Sequence, residues 1–229
     1  MRKDLELIES RVKKIQEYYN LRAEDFEMIW GSFYLFELLE TFLACIKQHG
    51  DHSLIFDNGC GSGRDSIYFA KNGYSTVGLD ISSSMLKIAK RKVEQSTVWT
   101  QINLLNGDMT WLPFRNEVFH GVWCCASLLF TSQTKWEDIL TSLYCILKKQ
   151  GILFLAVKNL WSPKHLSIAI RDKILARNRL RFGETISRDE RHITFISFRH
   201  ITKLLKKARF KVLGGKIGLT WINLFACKV

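Results

Sequence analysis

The stretch LIFDNGCGSGRDSIYFAKNGYSTVGLDIS, residues 54–82, contains the features that decide the fold. Two apolar runs end in Asp57 and Asp80, and they enclose a loop with glycines at 59, 61 and 63 followed by a segment of helical periodicity. In an open α/β sheet, ligands bind at such a loop, where it leaves the carboxyl end of a central strand. The stretch therefore predicts a strand–loop–helix–strand unit with a ligand site at the loop.

Short apolar runs alternate with amphipathic segments from residue 51 onward. The runs are SLIFDN, STVGLD, QINLLNGD, GVWCCA and GILFLAV. This alternation predicts right-handed βαβ units and a parallel sheet. The closely spaced runs KVLGG and LTWINLFACKV at the end of the chain predict an antiparallel hairpin at the sheet edge.

Two regions flank this pattern. Residues 1–50 carry apolar side chains at helical spacing, which predicts an N-terminal helical cap before a main domain of residues 51–229. Residues 159–196 fit no strand, and we expect an insertion that lies over the carboxyl ends of the sheet after strand five. The predicted fold is α/β, Rossmann-like, with seven mostly parallel strands and a C-terminal antiparallel hairpin.

The composition indicates one globular domain with a strongly basic region. The chain has 229 residues, 47% of them hydrophobic, and a formal net charge of +12. Between Lys158 and Lys211 there are 15 Lys or Arg residues against four acids. Such an excess is typical of a solvated helical face, or of a surface for an anionic substrate, nucleic acid or membrane phosphates.

The cysteines and the N-terminus predict a cytoplasmic protein. Six cysteines lie in apolar or motif segments, and no pair has the CxxC spacing of a zinc or redox site, so we expect reduced thiols and no metal. The N-terminus is charged and lacks the apolar core of a signal peptide. The most apolar stretches are too short, or too interrupted by acids, to predict a membrane span.

The glycine loop excludes two common ligands. A Walker A loop needs Lys and then Ser or Thr after its last glycine, but Arg64 and Asp65 stand there, and Arg64 also breaks a GxGxxG fingerprint. Asp57 disfavours a pyrophosphate and suits an ammonium group. Asp80 ends the next run, where a carboxylate can bind a ribose diol, and Asp108 follows the third. Together these acids favour S-adenosylmethionine, which carries an ammonium, a sulfonium and a ribose but no phosphate.

Four stretches then resemble a known family. DNGCGSGRDSIYFAKNGYSTVGLDIS and NGDMTWLPFRNEVFHGVWCCASLLF resemble the first four motifs of class I S-adenosylmethionine-dependent methyltransferases, and ILKKQGILFLAVKN and FRHITKLLKKARFKV resemble the later ones. The resemblance covers roughly residues 50–229. It is closest to the small-molecule branch of the ubiquinone and menaquinone biosynthesis type (methyltransferase type 11). Asn58 and the QG pair at 150–151 depart from the usual pattern.

The resemblance implies a cofactor site for S-adenosylmethionine and its product S-adenosylhomocysteine. Asp57 would lie near the methionine ammonium, Asp80 would bind the ribose hydroxyls, and Asp108 would take the adenine amino group. The further residues implied for this site are Gly59, Cys60, Gly61, Arg64, Ile81, Met109, Cys125, Ala126 and Ser127.

The sequence defines the acceptor site less closely than the cofactor site. Tyr18 and Tyr19 resemble N-terminal aromatic positions that fold over the cofactor in this family. The further substrate-binding candidates are Phe130, Trp161, His165 and His192. No catalytic residue is identified, because methyl transfer needs a base only if the acceptor carries a proton that must leave early.

Three functions remain open from the sequence. The apolar and basic insertion favours methyl transfer to a hydrophobic, anionic small molecule. The alternative is an RNA (tRNA or rRNA) methyltransferase whose basic insertion follows the phosphate backbone, although no NPPY-like tetrapeptide follows strand four. A cofactor-binding scaffold without activity is the third, and the intact acids at 57, 80 and 108 disfavour it.

Overall fold

The computed structural model describes residues 2–32, 35–47, 53–175, 180–187 and 189–229. Its strands are β1 (Leu54–Asn58), β2 (Ser75–Asp80), β3 (Ile102–Asn106), β4 (Phe119–Cys125), β5 (Leu147–Asn159), β6 (Glu184–Ile186), β7 (His192–Ile196), β8 (Phe210–Ile217) and β9 (Trp221–Lys228). Its α-helices are α1 (Arg2–Leu21), α2 (Ala23–Trp30), α3 (Phe36–Lys47), α4 (Arg64–Lys71), α5 (Ser83–Glu94), α6 (Trp136–Ile146), α7 (Pro163–Leu175) and α8 (Phe198–Lys207).

Five parallel strands form the centre of the sheet in the order β3-β2-β1-β4-β5. β1, β4 and β5 are buried on both faces, which explains why their sequences are continuous apolar runs and do not alternate. The strand order reverses between β1 and β4, so the loop after β1 lies at the switch point of the sheet. The predicted α/β fold and the position of the glycine loop are both confirmed.

The C-terminal strands close the other side of the sheet. β9 pairs antiparallel with β5, from Ile152 opposite Cys227 to Lys158 opposite Trp221. β8 pairs antiparallel with β9 and forms the edge. The antiparallel hairpin predicted from the spacing of the two last apolar runs is therefore confirmed.

The insertion after β5 contains strands, contrary to our expectation that residues 159–196 fit none. β6 and β7 form a short antiparallel hairpin, and Phe195 and Ile196 of β7 pair in parallel with Lys158 and Asn159 at the end of β5. β6 has only three residues, and four of the five residues of β7 are buried, so little of the period-2 pattern remains in the sequence. Because β7 pairs with the last two residues of β5, the hairpin lies beyond the carboxyl end of β4.

Helices cover both faces of the sheet. On one face, Phe42 of α3 and Phe69 of α4 pack against Trp123 of β4, which stacks on Phe154 of β5 at a centroid distance of 4.0 Å. The other face carries α6 and α8. None of the described helices is both long and apolar enough to cross a membrane.

The three N-terminal helices differ in their packing. The predicted cap boundary at residue 50 lies outside the described residues. Leu39, Phe42 and Ile46 of α3 are fully buried and share a core cluster with side chains of β1, β4 and β5. By contrast, α1 and α2 contact α5. We infer that α3 belongs to the core of the main domain and that α1 and α2 alone form a cap.

Replacing Phe42 by alanine should therefore destabilise the whole domain. The side chain is fully buried between Phe69 and Trp123, so we expect Phe42→Ala to lower the free energy of unfolding by about 3–5 kcal/mol in a urea titration. Phe36→Ala is the matched control on the same helix, because Phe36 is 55% exposed, and it should cost less than about 1 kcal/mol. Equal losses in the two variants would contradict the placement of α3 in the core.

Candidate functional site

The glycine loop is held against the carboxyl end of β2. The backbone N–H groups of Gly59 and Cys60 both donate to the Leu79 carbonyl, at 2.8 and 3.0 Å. Gly59, Gly61 and Gly63 all have positive φ angles, of 85°, 54° and 75°, a region that residues with a Cβ rarely adopt. The glycines are thus required by the shape of the loop itself, before any ligand is considered.

Each of these glycines also allows a close contact. A Cβ on Gly59 would lie 2.3 Å from Ser127 Cβ, and a Cβ on Gly61 would lie 3.3 Å from Met85 Cε. A Cβ on Gly63 would lie 3.1 Å from Ala89 Cβ, so this glycine allows α5 to approach the start of α4 closely.

The end of β4 is fastened to the end of β1. Ala126 has a φ of 57° although it carries a Cβ, and this turn brings Ser127 beside the glycine loop. The Ser127 hydroxyl donates to the Asn58 carbonyl at 2.6 Å. The predicted cofactor residues Cys125, Ala126 and Ser127 therefore lie next to Gly59, with the Ser127 side chain engaged in a structural bond.

Asp57 is buried immediately behind the loop. It is 3% exposed, and the Ser66 hydroxyl donates to its Oδ2 at 2.6 Å. Burial, together with the neighbouring Asp65 carboxylate, raises the pKa of Asp57 to about 8. Asp57 therefore retains its proton at neutral pH unless a cation lies next to it.

Asp80 holds the loop in addition to ending β2. Gly61 N–H donates to Asp80 Oδ2 and Ser82 N–H donates to Asp80 Oδ1, both at 2.8 Å. Burial raises the pKa of this carboxyl, and the backbone N–H groups of Ser82, Gly61 and Ile81 oppose that effect. Each carboxylate oxygen has a further lone pair, so both oxygens can still accept a ribose hydroxyl.

In their ionised forms, Asp57 and Asp80 place negative charge at the loop. The pKa of the buried Cys60 thiol is raised well above its usual range by burial and by the charges of Asp57 and Asp80. Such a site fits a cationic group and does not fit a pyrophosphate. The residues present thus match the ammonium, sulfonium and ribose of S-adenosylmethionine.

Arg64 is held by Asp65 and by the cap. Its Nε donates to Asp65 Oδ1 at 2.7 Å, and the other carboxylate oxygen accepts a bond from Trp123 Nε1 at 2.9 Å. Its Nη1 donates to the Trp30 carbonyl at the end of α2. Arg64 therefore connects the cap to α4, and a role in cofactor binding stays a prediction.

The predicted adenine side of the site lies at the ends of β2 and β3. Asp108 is half-buried, and its Oδ1 accepts a bond from Thr110 N–H at 2.8 Å. Met109 Sδ lies 3.9 Å from Asn58 Nδ2. The Ile81 carbonyl accepts bonds from Gln16 Nε2 and Asn106 Nδ2. These three predicted residues are thus gathered at one edge of the loop.

Helix α1 crosses the mouth of the site, which the sequence predicted only from Tyr18 and Tyr19. Asn20 Oδ1 accepts bonds from Ser82 Oγ and from Ser84 N–H, at 2.8 and 3.1 Å, and so fixes α1 to the start of α5. At the hairpin turn on the other side, Lys14 Nζ pairs with Glu190 Oε2 at 2.6 Å. The helix therefore bridges the β2 side and the β6–β7 side of the sheet.

An arginine and three aromatic rings meet beneath this bridge. The Arg191 guanidinium lies 4.1 Å from the centre of the Tyr18 ring and within 6 Å of the Tyr19 and Phe130 rings. Its Nη2 pairs with Asp189 Oδ2 at 2.8 Å, and its Nη1 lies 3.5 Å from the Tyr19 hydroxyl. Desolvation raises the pKa of Tyr19. We name Tyr18, Tyr19, Phe130 and Arg191 the aromatic–arginine cluster.

His192, another substrate-binding candidate, lies in a buried charge network. It is 2% exposed, its Nε2 lies 3.5 Å from Glu184 Oε2, and Arg11 Nη1 lies 3.2 Å from the same nitrogen. Glu184 also accepts bonds from Ser132 Oγ and Gln133 N–H. Burial opposes its ionisation, but His192 and the backbone N–H groups of Arg181 and Gln133 lower its pKa to about 2. The network fixes the hairpin to α1 and to the segment after β4.

The two remaining candidates lie further along the insertion. His165 is buried, stacks on Phe195 at a centroid distance of 4.4 Å, and donates from Nδ1 to the Asn159 carbonyl at 2.7 Å. Trp161 is 61% exposed. The structure thus brings Tyr18, Tyr19 and Phe130 together over the site and places His165 in packing, while any contact with substrate stays a prediction. Within the described ranges, no group of three or more His, Cys, Asp or Glu side chains is arranged to hold a metal ion.

The part of the chain that contains this site also resembles a known protein family. The family described as methyltransferase domain matches residues 55–151, which run from β1 to β5. Residues 55–151 are therefore similar to a methyltransferase domain. This segment contains the glycine loop, Asp57, Asp80, Asp108 and the end of β4.

Curated relatives of different specificity resemble the chain. It is 35% identical over 105 residues to YqeM of Bacillus subtilis, a protein provisionally named a methyltransferase. The matched residues cover 45% of this chain and 41% of that protein. It is 37% identical to an 18S rRNA (guanine-N(7))-methyltransferase of Mus musculus (41% and 29% covered). It is 33% identical to a demethylmenaquinone methyltransferase of Symbiobacterium thermophilum (44% and 40% covered). The matches span less than half the length of each of these relatives.

Solved structures share the fold over most of the chain. An S-adenosylmethionine-dependent methyltransferase from Methanosarcina mazei has a TM-score of 0.73 at 19% identity and covers 86% of this chain and 98% of its own. The magnesium protoporphyrin IX methyltransferase of Synechocystis with bound S-adenosylhomocysteine has a TM-score of 0.69 at 19% identity, with 96% and 100% covered. The predicted resemblance to S-adenosylmethionine-dependent methyltransferases is therefore confirmed, and this family uses that cofactor.

A comparison of alanine substitutions at Gly59 and Gly73 tests the contact between Gly59 and Ser127 separately from backbone strain. Gly73 has a φ of 90° and nothing within 4 Å of an added Cβ, so Gly73→Ala should cost only the about 1–2 kcal/mol of a positive φ. Gly59→Ala adds a clash with Ser127, which we expect to cost a further 1–3 kcal/mol or so and to separate the loop from β4.

The two variants should also differ in ligand binding. Calorimetry with S-adenosylhomocysteine should show an unchanged affinity for Gly73→Ala and a loss of roughly tenfold or more for Gly59→Ala, about 1.4 kcal/mol. A folded Gly59→Ala variant with normal affinity would show that this loop is not the cofactor cradle.

Proposed function

We propose that the protein transfers a methyl group from S-adenosylmethionine to a small-molecule acceptor that is apolar and carries an anionic group. The observation that carries this proposal is the aromatic–arginine cluster, which lies over a loop suited to a cationic cofactor. The matched relatives include enzymes named for a quinone precursor and for rRNA, so the nature of the acceptor rests on the site of this chain.

The residues around the loop would hold the donor by charge and hydrogen bonding. Asp57 would face the ammonium group, and Asp80 would accept bonds from the ribose hydroxyls. Ile81, Asp108 and Met109 would surround the adenine. When bound, the cofactor supplies an electrophilic methyl group on a sulfonium that is already a good leaving group. The chain therefore needs to align the acceptor and exclude water, and orientation alone can supply about 7–11 kcal/mol.

The cover formed by α1 and the β6–β7 hairpin supports a small acceptor. Three contacts close it: Lys14 with Glu190, Arg11 with the His192–Glu184 pair, and Arg191 with Tyr18. A polynucleotide would need an open groove leading to the sulfonium, whereas a small molecule needs only an enclosed space. An open groove of about 610 Å³ does lie beside α5, between Asn20, Glu24 and Arg91, but neither the glycine loop nor the aromatic–arginine cluster lines it.

Arg191 would select the anionic group of the acceptor. The flat guanidinium is half-buried on the Tyr18 ring, where its charge is less screened than at the open surface. Nε and Nη2 face Asp189, which leaves Nη1 as the donor directed toward Tyr19. The three rings supply the apolar surface for the rest of the molecule.

Binding of the cofactor should release a proton from Asp57. Since the pKa of Asp57 lies at about 8 in the free protein, an ammonium group beside it would favour the ionised form. Calorimetry with S-adenosylhomocysteine at about pH 6.5, in two buffers of different ionisation enthalpy, should therefore show the release of close to one proton. Asp57→Asn keeps the shape of the side chain and should abolish that release. Binding enthalpies that do not depend on the buffer would contradict the proximity of Asp57 to the ammonium.

Replacing Arg191 should affect the acceptor and not the cofactor. Acceptors would first be found by screening hydrophobic carboxylic acids and phosphates for methylation. Arg191→Gln should then raise the acceptor KM by about tenfold or more, the loss of one charge-assisted hydrogen bond, and leave the affinity for S-adenosylhomocysteine within about twofold.

Arg199→Gln provides the matched control, because Arg199 is exposed on α8, and it should behave as the unaltered protein. Small and similar losses at both arginines, together with steep salt dependence and retention of tRNA, would favour the RNA methyltransferase alternative.

A further inference from the structure

Helix α7 exposes apolar side chains along one face. Its buried face contains His165, Ala169 and Asp172, at spacings of four and three residues. On the opposite face, Ile170, Ile174 and Leu175 are 46%, 70% and 72% exposed. Trp161, two residues before the start of the helix, is 61% exposed. A surface helix of a folded domain normally places polar residues at such positions.

The exposed charged side chains of the chain segment around α7 are all positive. Among the described residues of the segment 158–187, the exposed or half-buried charged side chains are Lys158, Lys164, Arg171, Lys173 and Arg181. The two acids of the same segment are buried and engaged. Asp172 accepts bonds from Arg171 and Thr185, and Glu184 lies in the charge network with His192. No exposed carboxylate interrupts the basic surface in the part of this segment that the structure describes.

A second apolar surface, on the cap, carries paired charges of both signs. Leu21, Met28 and Ile29 are 84%, 80% and 65% exposed. The exposed acids of the same helical segment, Glu24 and Asp25, pair with Arg91 and Arg22. Exposed apolar area alone therefore does not distinguish the α7 face, whereas its combination with an unbroken positive charge does.

We propose that the α7 face, defined as Trp161, Lys164, Ile170, Arg171, Ile174 and Leu175, docks on an anionic lipid bilayer. Aliphatic side chains and a tryptophan can enter the boundary between headgroups and acyl chains, and basic side chains beside them meet lipid phosphates. The long stems of Lys164 and Arg171 allow their charges to stay at the headgroups while the apolar residues insert.

The same face suits RNA less well. Single-stranded RNA is bound by aromatic rings and arginines that stack on bases, and isoleucine or leucine side chains cannot take that role. The most exposed apolar residues of the helix, Ile174 and Leu175, are aliphatic. The chemistry of the face therefore favours lipid.

Docking through the α7 face would also orient the acceptor site, a consequence that rests on the proposed function. β5 ends at Asn159 and α7 begins at Pro163, so the helix lies at the carboxyl edge of the sheet, where the cofactor loop also lies. A docked protein would present the β6–β7 side of the acceptor site to the bilayer. The docking itself is independent of any methyl transfer.

Sedimentation with lipid vesicles tests the proposal with the full chain. We expect the protein to sediment with phosphatidylcholine vesicles containing about 30% phosphatidylglycerol and not with phosphatidylcholine alone. Raising the salt from about 0.05 to about 0.5 M should weaken the binding at least about fivefold, because the attraction to the surface charge is screened. Ile174→Glu should remove most of the binding, and Trp161→Ala should weaken it by a few-fold.

Two matched variants control for general effects of the substitutions. Ile29→Glu alters an isoleucine of similar exposure on the cap. Trp99→Ala alters a tryptophan that is 60% exposed at the start of β3, at the opposite edge of the sheet from Trp161. Both should bind vesicles as the unaltered protein does, and thermal melts would confirm that all four variants are folded.

Four results would overturn the proposal. The first is the absence of sedimentation with either vesicle, and the second is an equal loss of binding in Ile174→Glu and Ile29→Glu. The third is a self-association in solution that Ile174→Glu abolishes without any vesicle binding, which would assign the face to a second copy of the chain. Retention of tRNA through this face in place of vesicles would assign it to RNA. Cofactor binding measured on the same samples would separate a failure here from a failure of the proposed function.

Discussion

The contact between Gly59 and Ser127 is the constraint on which the rest of the site depends. A Cβ on Gly59 would lie 2.3 Å from Ser127 Cβ, so the ends of β1 and β4 can meet only because position 59 lacks a side chain. The turn that delivers Ser127 requires a positive φ at Ala126, at a cost of about 1–2 kcal/mol. The Ala126 N–H bond to the Ala156 carbonyl and the Ser127 bond to the Asn58 carbonyl offset that cost. Once these ends are joined, Asp57 lies buried behind the loop, and Phe130, one short turn after Ser127, lies under α1.

Charge is the second constraint, and it couples the stability of the loop to ligand binding. Asp65 has Arg64 as its ion-pair partner, while Asp57 and Asp80 are held by a hydroxyl and by backbone N–H groups. The pKa values of both are raised in the free protein, so a cationic ligand would favour their ionised forms. A mutation of Asp80 would remove the bond from Gly61 N–H as well as any bond to a ribose. The loss of cofactor affinity in an Asp80 variant therefore combines a disordered loop with a lost ligand contact. The variant Asp57→Asn separates these two effects better.

Local patterns in the sequence predicted most of the cofactor site, and pairings over long distances in the sequence account for what it missed. The loop, Asp57 and Asp80 follow from one stretch of 29 residues whose strand, turn and helix signals agree. Glu184 is different. It is one of four acids in a basic segment, and only the fold shows that it is buried against Arg11, 173 positions away, and against the turn after β4. Arg191 likewise could not be distinguished from the other insertion arginines until the hairpin placed it on Tyr18. Strands β6 and β7 were missed because they are short and their buried positions do not alternate.

Under the proposed function, one part of the chain would bind the cofactor and another would select the acceptor. The segment that matches the methyltransferase domain, residues 55–151, contains every acid assigned to the cofactor. Tyr18, Tyr19 and Arg191 lie outside it, on α1 and on the insertion. The ion pairs that hold α1 against the β6–β7 hairpin also lie outside it; they join Arg11 to Glu184 and Lys14 to Glu190. Relatives with quinone-type and rRNA names resemble the chain over less than half of its length, as expected if the shared part binds the donor and the rest selects the acceptor. It follows that exchanging α1 alone, without the β6–β7 hairpin, would break the ion pairs between them and disturb the acceptor site. Under the proposed function, acceptor specificity would therefore belong to the pair of elements, and neither could be changed independently of the other.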